Sequence, residues 1–408
     1  MQWIEARKRT APRVEKQPLM TTPFVLVMLS TLAYFVSVGA LLPTLPRYVE
    51  GPLGGGETAV GIAIGSFALS AVLIRPFIGT VGDRRGRRVL IVAGAALVAL
   101  SVAAYTVASS LLTLLLLRLL SGAGEAAFYV GAASVINDLA PDERRGEALS
   151  LFSLALYGGL AVGPILGESV LGDSRYTLTW LVAASAAAIA ALLGLKVPET
   201  RPESRLVRPR QRGVRRIVHP AGLLPGLIMA CSVWGLAGFN TFVPLYALDL
   251  SLDGSRLVFV VYSVIVLGIR SFGARIPDRY GPARTARIAL AISGLGLGII
   301  GLWAEPAGLF AGAALFAVGQ ALTFPALMTI AVTSAPAAER SAVIGTFTSF
   351  FDLAFGAGAV ALGGVAELVG YGGTFLSAAG VAAAGVVLLL VRAQKRRTTL
   401  AEEMAEAA

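Results

Sequence analysis

Histidine and cysteine are almost missing from this chain: of 408 residues, one is histidine (His219) and one is cysteine (Cys231). A lone cysteine forms no internal disulfide and no cysteine-rich metal site. A lone histidine in a basic loop leaves almost no room for a histidine zinc centre or a Ser-His triad. Charge is scarce as well, at 14% of residues against about 25% in soluble proteins. The sequence has no G-x-x-x-x-G-K-[ST] phosphate loop and no H-E-x-x-H pair. Nothing points to ATP as an energy source, to a metal or cofactor, or to a catalytic set, and the chain is not expected to be an enzyme.

What is abundant is apolar. Hydrophobic residues make up 56% of the chain, and glycine occurs 47 times, as suits membrane helices that approach one another closely. Crossing the hydrocarbon core takes about 20 apolar residues per helix. Twelve such stretches begin near Pro23, Glu57, Val89, Leu111, Ala148, Leu178, Gly222, Ser255, Ala286, Ala307, Ser341 and Gly373. The first is too long for a signal-peptide core and has no evident cleavage site after it, so it is expected to remain as a helix.

The Arg- and Pro-rich stretch from Lys196 to Pro220 divides the spans into two groups of six. The expected fold is all-α and integral to the membrane, with twelve transmembrane helices in two pseudo-symmetric bundles. The corresponding divisions are an N-terminal tail (1–22), a first bundle (23–195), a linker (196–221), a second bundle (222–392) and a C-terminal tail (393–408).

Basic residues set the orientation. Arg7, Lys8, Arg9, Arg13 and Lys16 precede the first span; Arg84, Arg85, Arg87 and Arg88 follow the second; eight more lie between Lys196 and Arg216. Between spans on the other side stand Arg47, Arg175 and Arg256. Both termini and the linker are therefore expected in the cytoplasm, with the chain in the cell (inner) membrane. The net charge of +10 fits this topology signal together with contacts to anionic lipid headgroups. Basic residues spread over membrane-proximal loops do not form a nucleic-acid surface.

The two halves are copies. Residues 75–86 read RPFIGTVGDRRG, and residues 270–281, 195 positions later, read RSFGARIPDRYG. The same offset pairs Gly124 with Gly319, Glu125 with Gln320, Pro141 with Pro336, Arg145 with Arg340, Phe152 with Phe347 and Gly163 with Gly358. A parallel duplication of this kind places a substrate site near the midplane, between two halves that rock. One such unit suffices for the mechanism, so a monomer is expected.

The loop from Gly79 through Asp83, Arg84, Gly86 and Arg87 to Arg88 resembles the signature between the second and third helices of the major facilitator superfamily. The run from Arg118 to Glu125 resembles that family's fourth-helix signature. The run Gly159-Leu-Ala-Val-Gly163-Pro164-Ile-Leu-Gly167 is similar to the signature of its proton-coupled drug exporters, departing from it at Glu168. The resemblance implies secondary transport by alternating access. It also implies a latch between the halves built from Gly79, Asp83, Arg84, Gly86 and Arg87, with Asp278 and Arg279 as the duplicate. Apart from the resemblance, an anion such as Asp83 at the end of a span suits the positive N-terminus of another helix. Arg75 and Arg270, slightly inside the membrane, are expected to snorkel to the interface.

Gly159, Gly163 and Gly167 recur every fourth residue and so share a helix face. Beside a bending Pro164, they offer either ordinary close packing or a seam that controls opening. Ionisable groups deep in the membrane point to mechanism. Glu125 lies two turns from Arg118 on one face, near enough for their fields to interact, and Glu125, Asp352 and Arg118 form the candidate proton-coupling set; the alternative for either carboxyl is a fixed structural group. Gln320, at the duplicate position, cannot titrate. Tyr34, Tyr129, Tyr157, Trp234, Phe324 and Phe351, together with Asn240, Gln320, Glu125 and Asp352, are candidate substrate contacts. Such a set suits a lipophilic or cationic guest. Glu168, Asp249 and Glu367 are expected as solvated rim charges.

These expectations describe proton-coupled efflux of lipophilic or cationic small molecules, driven by the proton gradient with no cofactor. The alternative is a proton-coupled transporter of a sugar, an organic acid or a metal-chelating metabolite. A non-transporting receptor or an intramembrane enzyme would need a soluble domain or a catalytic set that the sequence lacks.

Overall fold

A computed structural model describes residues 19–141, 144–200, 219–273, 276–336 and 339–406. Its helices are α1 (Thr22–Glu50), α2 (Glu57–Arg85), α3 (Arg87–Ala103), α4 (Leu111–Leu139), α5 (Arg145–Leu171), α6 (Tyr176–Leu195), α7 (Pro220–Asp249), α8 (Arg256–Phe272), α9 (Ile276–Tyr280), α10 (Pro282–Leu302), α11 (Pro306–Thr333) and α12 (Arg340–Glu406). Among the described residues, ten helices are long and apolar enough to cross a membrane. The twelve expected stretches differ from this in two places. The eighth is only 17 residues long as α8, and the last two are merged in α12 across a break at Gly370, whose φ of 72° is not helical. That φ is strained for a residue with a Cβ, so glycine permits the chain to turn there and begin another span.

Local signals account for the helix starts. Thr21 accepts a hydrogen bond from the Phe24 N–H at 3.4 Å, and Ser110 accepts one from Thr113 at 3.2 Å, each satisfying a donor that the first turn leaves free. Proline opens α7, α10 and α11, where its missing N–H costs nothing. Gly86 and its duplicate Gly281 have φ of 101° and 83°, conformations that allow α2 and α9 to turn directly into α3 and α10. Internal prolines such as Pro43, Pro46, Pro225 and Pro244 sit in helices whose neighbours supply packing, as membrane helices tolerate. Large side chains such as Leu73, Phe77, Leu192 and Phe272 are exposed, forming a surface matched to lipid.

Within the first six helices, α1 packs on α5 and α6, α3 on α4 and α6, and α2 on α4. Among the later helices, α12 packs on α7 and α10, and α11 packs on α10 and α8. The two groups meet mainly where α2 crosses α12 and α5 crosses α8. These are one crossing made twice, because the 195-residue offset maps α2 onto α8–α9 and α5 onto the first part of α12.

The glycines of the α5 signature face α1, in the same bundle. A Cβ on Gly163 would lie 2.5 Å from the Gly39 Cα, and one on Gly159 would lie 2.7 Å from the Leu32 carbonyl oxygen. The seam between the two groups is built from other small residues. A Cβ on Gly65 would come within 2.6 Å of the Gly356 carbonyl, and one on Gly363 within 2.8 Å of the Glu57 carbonyl, while Gly61 lies against Ala359. This seam occupies the start of α2 and the stretch of α12 before Gly370, at the end of the molecule opposite the linker.

Overpacking a tight helix contact costs about 1–3 kcal/mol. Gly163→Leu is therefore expected to lower the melting temperature of the purified protein. Gly61→Leu is expected to part the two groups at the end opposite the linker. A cysteine placed at Gly56 in a Cys231→Ser background should then react faster with a maleimide; equal rates with and without Gly61→Leu would show that the seam is not tight.

Candidate functional site

The core of the site is one guanidinium between two carboxylates. Arg75, in the inner part of α2, donates through Nη2 to the Glu125 Oε2 at 3.2 Å and through Nη1 to the Asp352 Oδ2. Glu125 belongs to α4, which packs on α2 in the same group, and Asp352 belongs to α12 in the other. The side chains of all three are largely buried, with relative exposures of 22%, 12% and 18%. The Arg75 guanidinium also lies over the Tyr129 ring, 5.4 Å from its centroid.

The expectation that Arg75 snorkels is overturned, because its guanidinium is turned to two acids inside the molecule. The place proposed for Arg118 also changes. Its Nε and Nη2 donate to the Ala63 and Ile64 carbonyls at 2.9 and 3.4 Å, and its guanidinium stacks on Phe67 at 4.6 Å. Arg118 thus braces α4 against α2, and the cation beside Glu125 is Arg75.

The duplicate crossing repeats the contact with different chemistry. The offset turns Arg75 into Arg270 and Asp352 into Tyr157. Arg270, on α8, stacks over the Tyr157 ring of α5 at 4.0 Å. Tyr157 packs in turn with Tyr262, Ile265 and Ile269 against Val266, Ala317 and Ala321. Arg270 does not snorkel either.

The other expected substrate contacts are divided between the two groups. Tyr34 is stacked on Phe128 at 3.9 Å with its hydroxyl buried and unpartnered. Tyr129 lies near Phe152 at 5.8 Å. Phe324 meets Phe347 and Phe351 at 5.5 and 6.2 Å. Gln320 is occupied structurally, its Nε2 donating to the carbonyl and hydroxyl of Ser232, both at 3.1 Å. Trp234 and Asn240 are half-buried on α7.

The signature loop after α2 is held by its own group and by the start of the linker. Glu199 accepts from the Arg87 N–H at 2.8 Å and the Arg88 N–H at 3.3 Å, capping α3, and the Arg87 side chain pairs with Asp138. Glu199 lies so close to Gly86 that a Cβ there would collide with its carboxylate. Arg84 and Arg279 are exposed, and Gly79 has open space around it. The side chains of Asp83 and Asp278 lie outside the described residues.

Glu168, expected on a solvated rim, is 7% exposed. It accepts from the Ser255 N–H at 2.8 Å and hydroxyl at 3.3 Å, and Arg47 stands 3.6 Å away. It therefore ties α5 to the start of α8 across the two groups. Glu367, which is exposed, makes a second such tie by accepting from the Thr58 hydroxyl. Sequence spacing carried no sign of either link, because each depends on which helix ends meet.

The sequence matches the Major Facilitator Superfamily over residues 27–304 and again over 255–407. The chain belongs to the major facilitator superfamily. An uncharacterised transporter of this type from Salmonella typhimurium is 30% identical over 372 residues, covering 88% of this chain and 94% of the relative. Two solved structures share the fold. The human organic anion transporter MFSD10 is 21% identical, with a TM-score of 0.70 over 90% of this chain and 98% of its own. A POT-family transporter in complex with 5-aminolevulinic acid is 14% identical, with a TM-score of 0.79 over 91% and 96%. The protein is thus a multi-pass membrane secondary transporter of the major facilitator fold, acting on a small-molecule substrate and not an enzyme.

In this major facilitator, the described contacts that join the halves through side chains run from the end opposite the linker down to Arg75. Arg75→Gln would leave two carboxylates facing each other without their cation, and removing one partner of a buried pair costs about 3–5 kcal/mol, less for groups with partial water access. The variant should melt at a lower temperature than wild type, and Asp352→Asn placed on top of it should recover part of the loss. Simple addition of the two losses would mean that the residues are not coupled.

Proposed function

We propose that the protein couples proton entry to export of lipophilic or cationic small molecules, with Glu125 and Asp352 as the alternating proton and cation site. The observation that carries this is the sharing of Arg75 by two carboxylates drawn from the two halves. With both acids ionised, the cluster bears one surplus negative charge inside the membrane, where uncompensated charge is costly. A proton relieves it, and so does a cationic guest. The two remedies exclude each other, and that exclusion is the requirement for exchange. Tyr129 beside Arg75, and Tyr34 and Phe128 on the neighbouring α1 and α4, add polarisable ring faces suited to such a guest.

The same cluster links protonation to shape. A proton on Asp352 weakens the tie between α2 and α12 and leaves Arg75 paired with Glu125 inside its own half. The halves are then free to part along the glycine seam. With the basic tails and linker read as cytoplasmic, the end closed by Glu168 and Glu367 faces outward. Export as the direction rests on the likeness of the α5 run from Gly159 to Gly167 to drug-exporter signatures. The loop around Asp83 and Arg87, with its duplicate at Asp278 and Arg279, serves as the latch that closes the cytoplasmic end in the opposite state.

The test is transport in proteoliposomes with an imposed pH gradient, read with a cationic dye. Wild type should accumulate dye only while the gradient lasts. Glu125→Gln and Asp352→Asn should each lower gradient-driven accumulation by at least about tenfold, the loss of roughly 1.4 kcal/mol of coupling. Dye accumulation that is equal with and without the gradient, and unchanged in both variants, would refute proton coupling.

A further inference from the structure

The two crossings between the halves keep the same cation and differ in its partner. At the α2–α12 crossing, Arg75 meets Asp352 and Glu125. At the α5–α8 crossing, Arg270 meets the face of Tyr157, and the position corresponding to Glu125 is Gln320, which is turned to Ser232. Among the described residues, Arg270 has no hydrogen bond or ion pair, and its Nε is buried without an acceptor. An aromatic face attracts a guanidinium by about 0.5–2 kcal/mol, but it does not neutralise it. A cation kept inside the membrane without an anion is costly, and Arg270 stands where the two halves meet.

We propose that Arg270, stacked on Tyr157, is an anion subsite and binds the carboxylate of a lipophilic organic acid. This deepens the reading of the chain as a small-molecule transporter by adding an acid group to the cargo. The chemistry of the surroundings matches. A guanidinium presents a planar fork that fits a carboxylate through two parallel hydrogen bonds. The adjoining Tyr262, Ile265 and Ile269 are only partly buried, an apolar surrounding that suits the body of such an acid. With Glu125 and Asp352 at the other crossing, the molecule has one acidic and one basic station, so an amphoteric guest can engage both. The asymmetry also explains why a carboxylate is absent from position 157: an aspartate there would pair with Arg270 as Asp352 pairs with Arg75 and would occupy the subsite permanently.

The experiment is equilibrium binding to the purified full-length protein in nanodiscs, with salicylate, benzoate and decanoate as anionic probes and tetraphenylphosphonium as the cationic one. Wild type should bind at least one of the carboxylates saturably. Arg270→Gln should weaken that binding by about 10- to 100-fold, as expected for loss of a charged hydrogen-bond partner, and leave tetraphenylphosphonium within about twofold. Tyr157→Asp should weaken carboxylate binding by a similar factor while keeping the melting temperature at or above wild type, and it decides the matter if Arg270→Gln fails to fold. No saturable binding of any of the three acids would overturn the proposal. So would carboxylate affinity unchanged in Tyr157→Asp or in folded Arg270→Gln, or an equal loss of the cation in either. Because no gradient is imposed, these outcomes are independent of whether the transporter is proton-coupled.

Discussion

The sharing of one guanidinium by Glu125 and Asp352 is the constraint around which the two halves are arranged. Arginine alone among the side chains stays charged at this depth and presents several donors in a fixed plane. It can therefore serve two acids arriving from different helices, which a lysine point charge does less well. Its two partners belong to different halves, so the charge balance of the cluster and the contact between the halves are a single property. Any event that changes one changes the other.

The rest of the interface is thin beside this contact. Between α2 and α12, the meeting surface is nearly bare backbone at Gly61, Gly65, Gly356 and Gly363, which brings the helices close without interlocking side chains. Glu168 and Glu367 close the end opposite the linker with few, polar contacts. By contrast, each half is internally braced by contacts with no partner across the interface: the α1–α5 glycine face, Arg118 on the Ala63 and Ile64 carbonyls, and Gln320 on Ser232. Rigid units joined by a thin seam are what rocking requires.

Duplication followed by divergence accounts for the uneven chemistry. Both copies retain the arginine, at 75 and 270, but its partners became Asp352 and Glu125 at one crossing and Tyr157 at the other. Tyr129 beside Arg75 corresponds to Phe324, which lies among Phe347 and Phe351 instead. The halves thus share a scaffold while carrying different side-chain chemistry at the two crossings.

Much of this was legible in the chain itself. Apolar run length, basic-loop placement and the 195-residue repeat determined a membrane protein of two like halves, because each of these follows from local composition or direct comparison of positions. They also brought Glu125 and Asp352 forward, since a carboxyl in an apolar run has no cheap explanation. What remained hidden was partnership. Arg75 stands 50 positions from Glu125 and 277 from Asp352, Arg270 faces a residue of the other half, and Glu168 reaches Ser255 across the interface. Which helix faces meet, and at what depth, is decided by packing the whole bundle. For a charged group in a membrane, that choice of neighbour decides whether it snorkels, braces a helix or joins the halves.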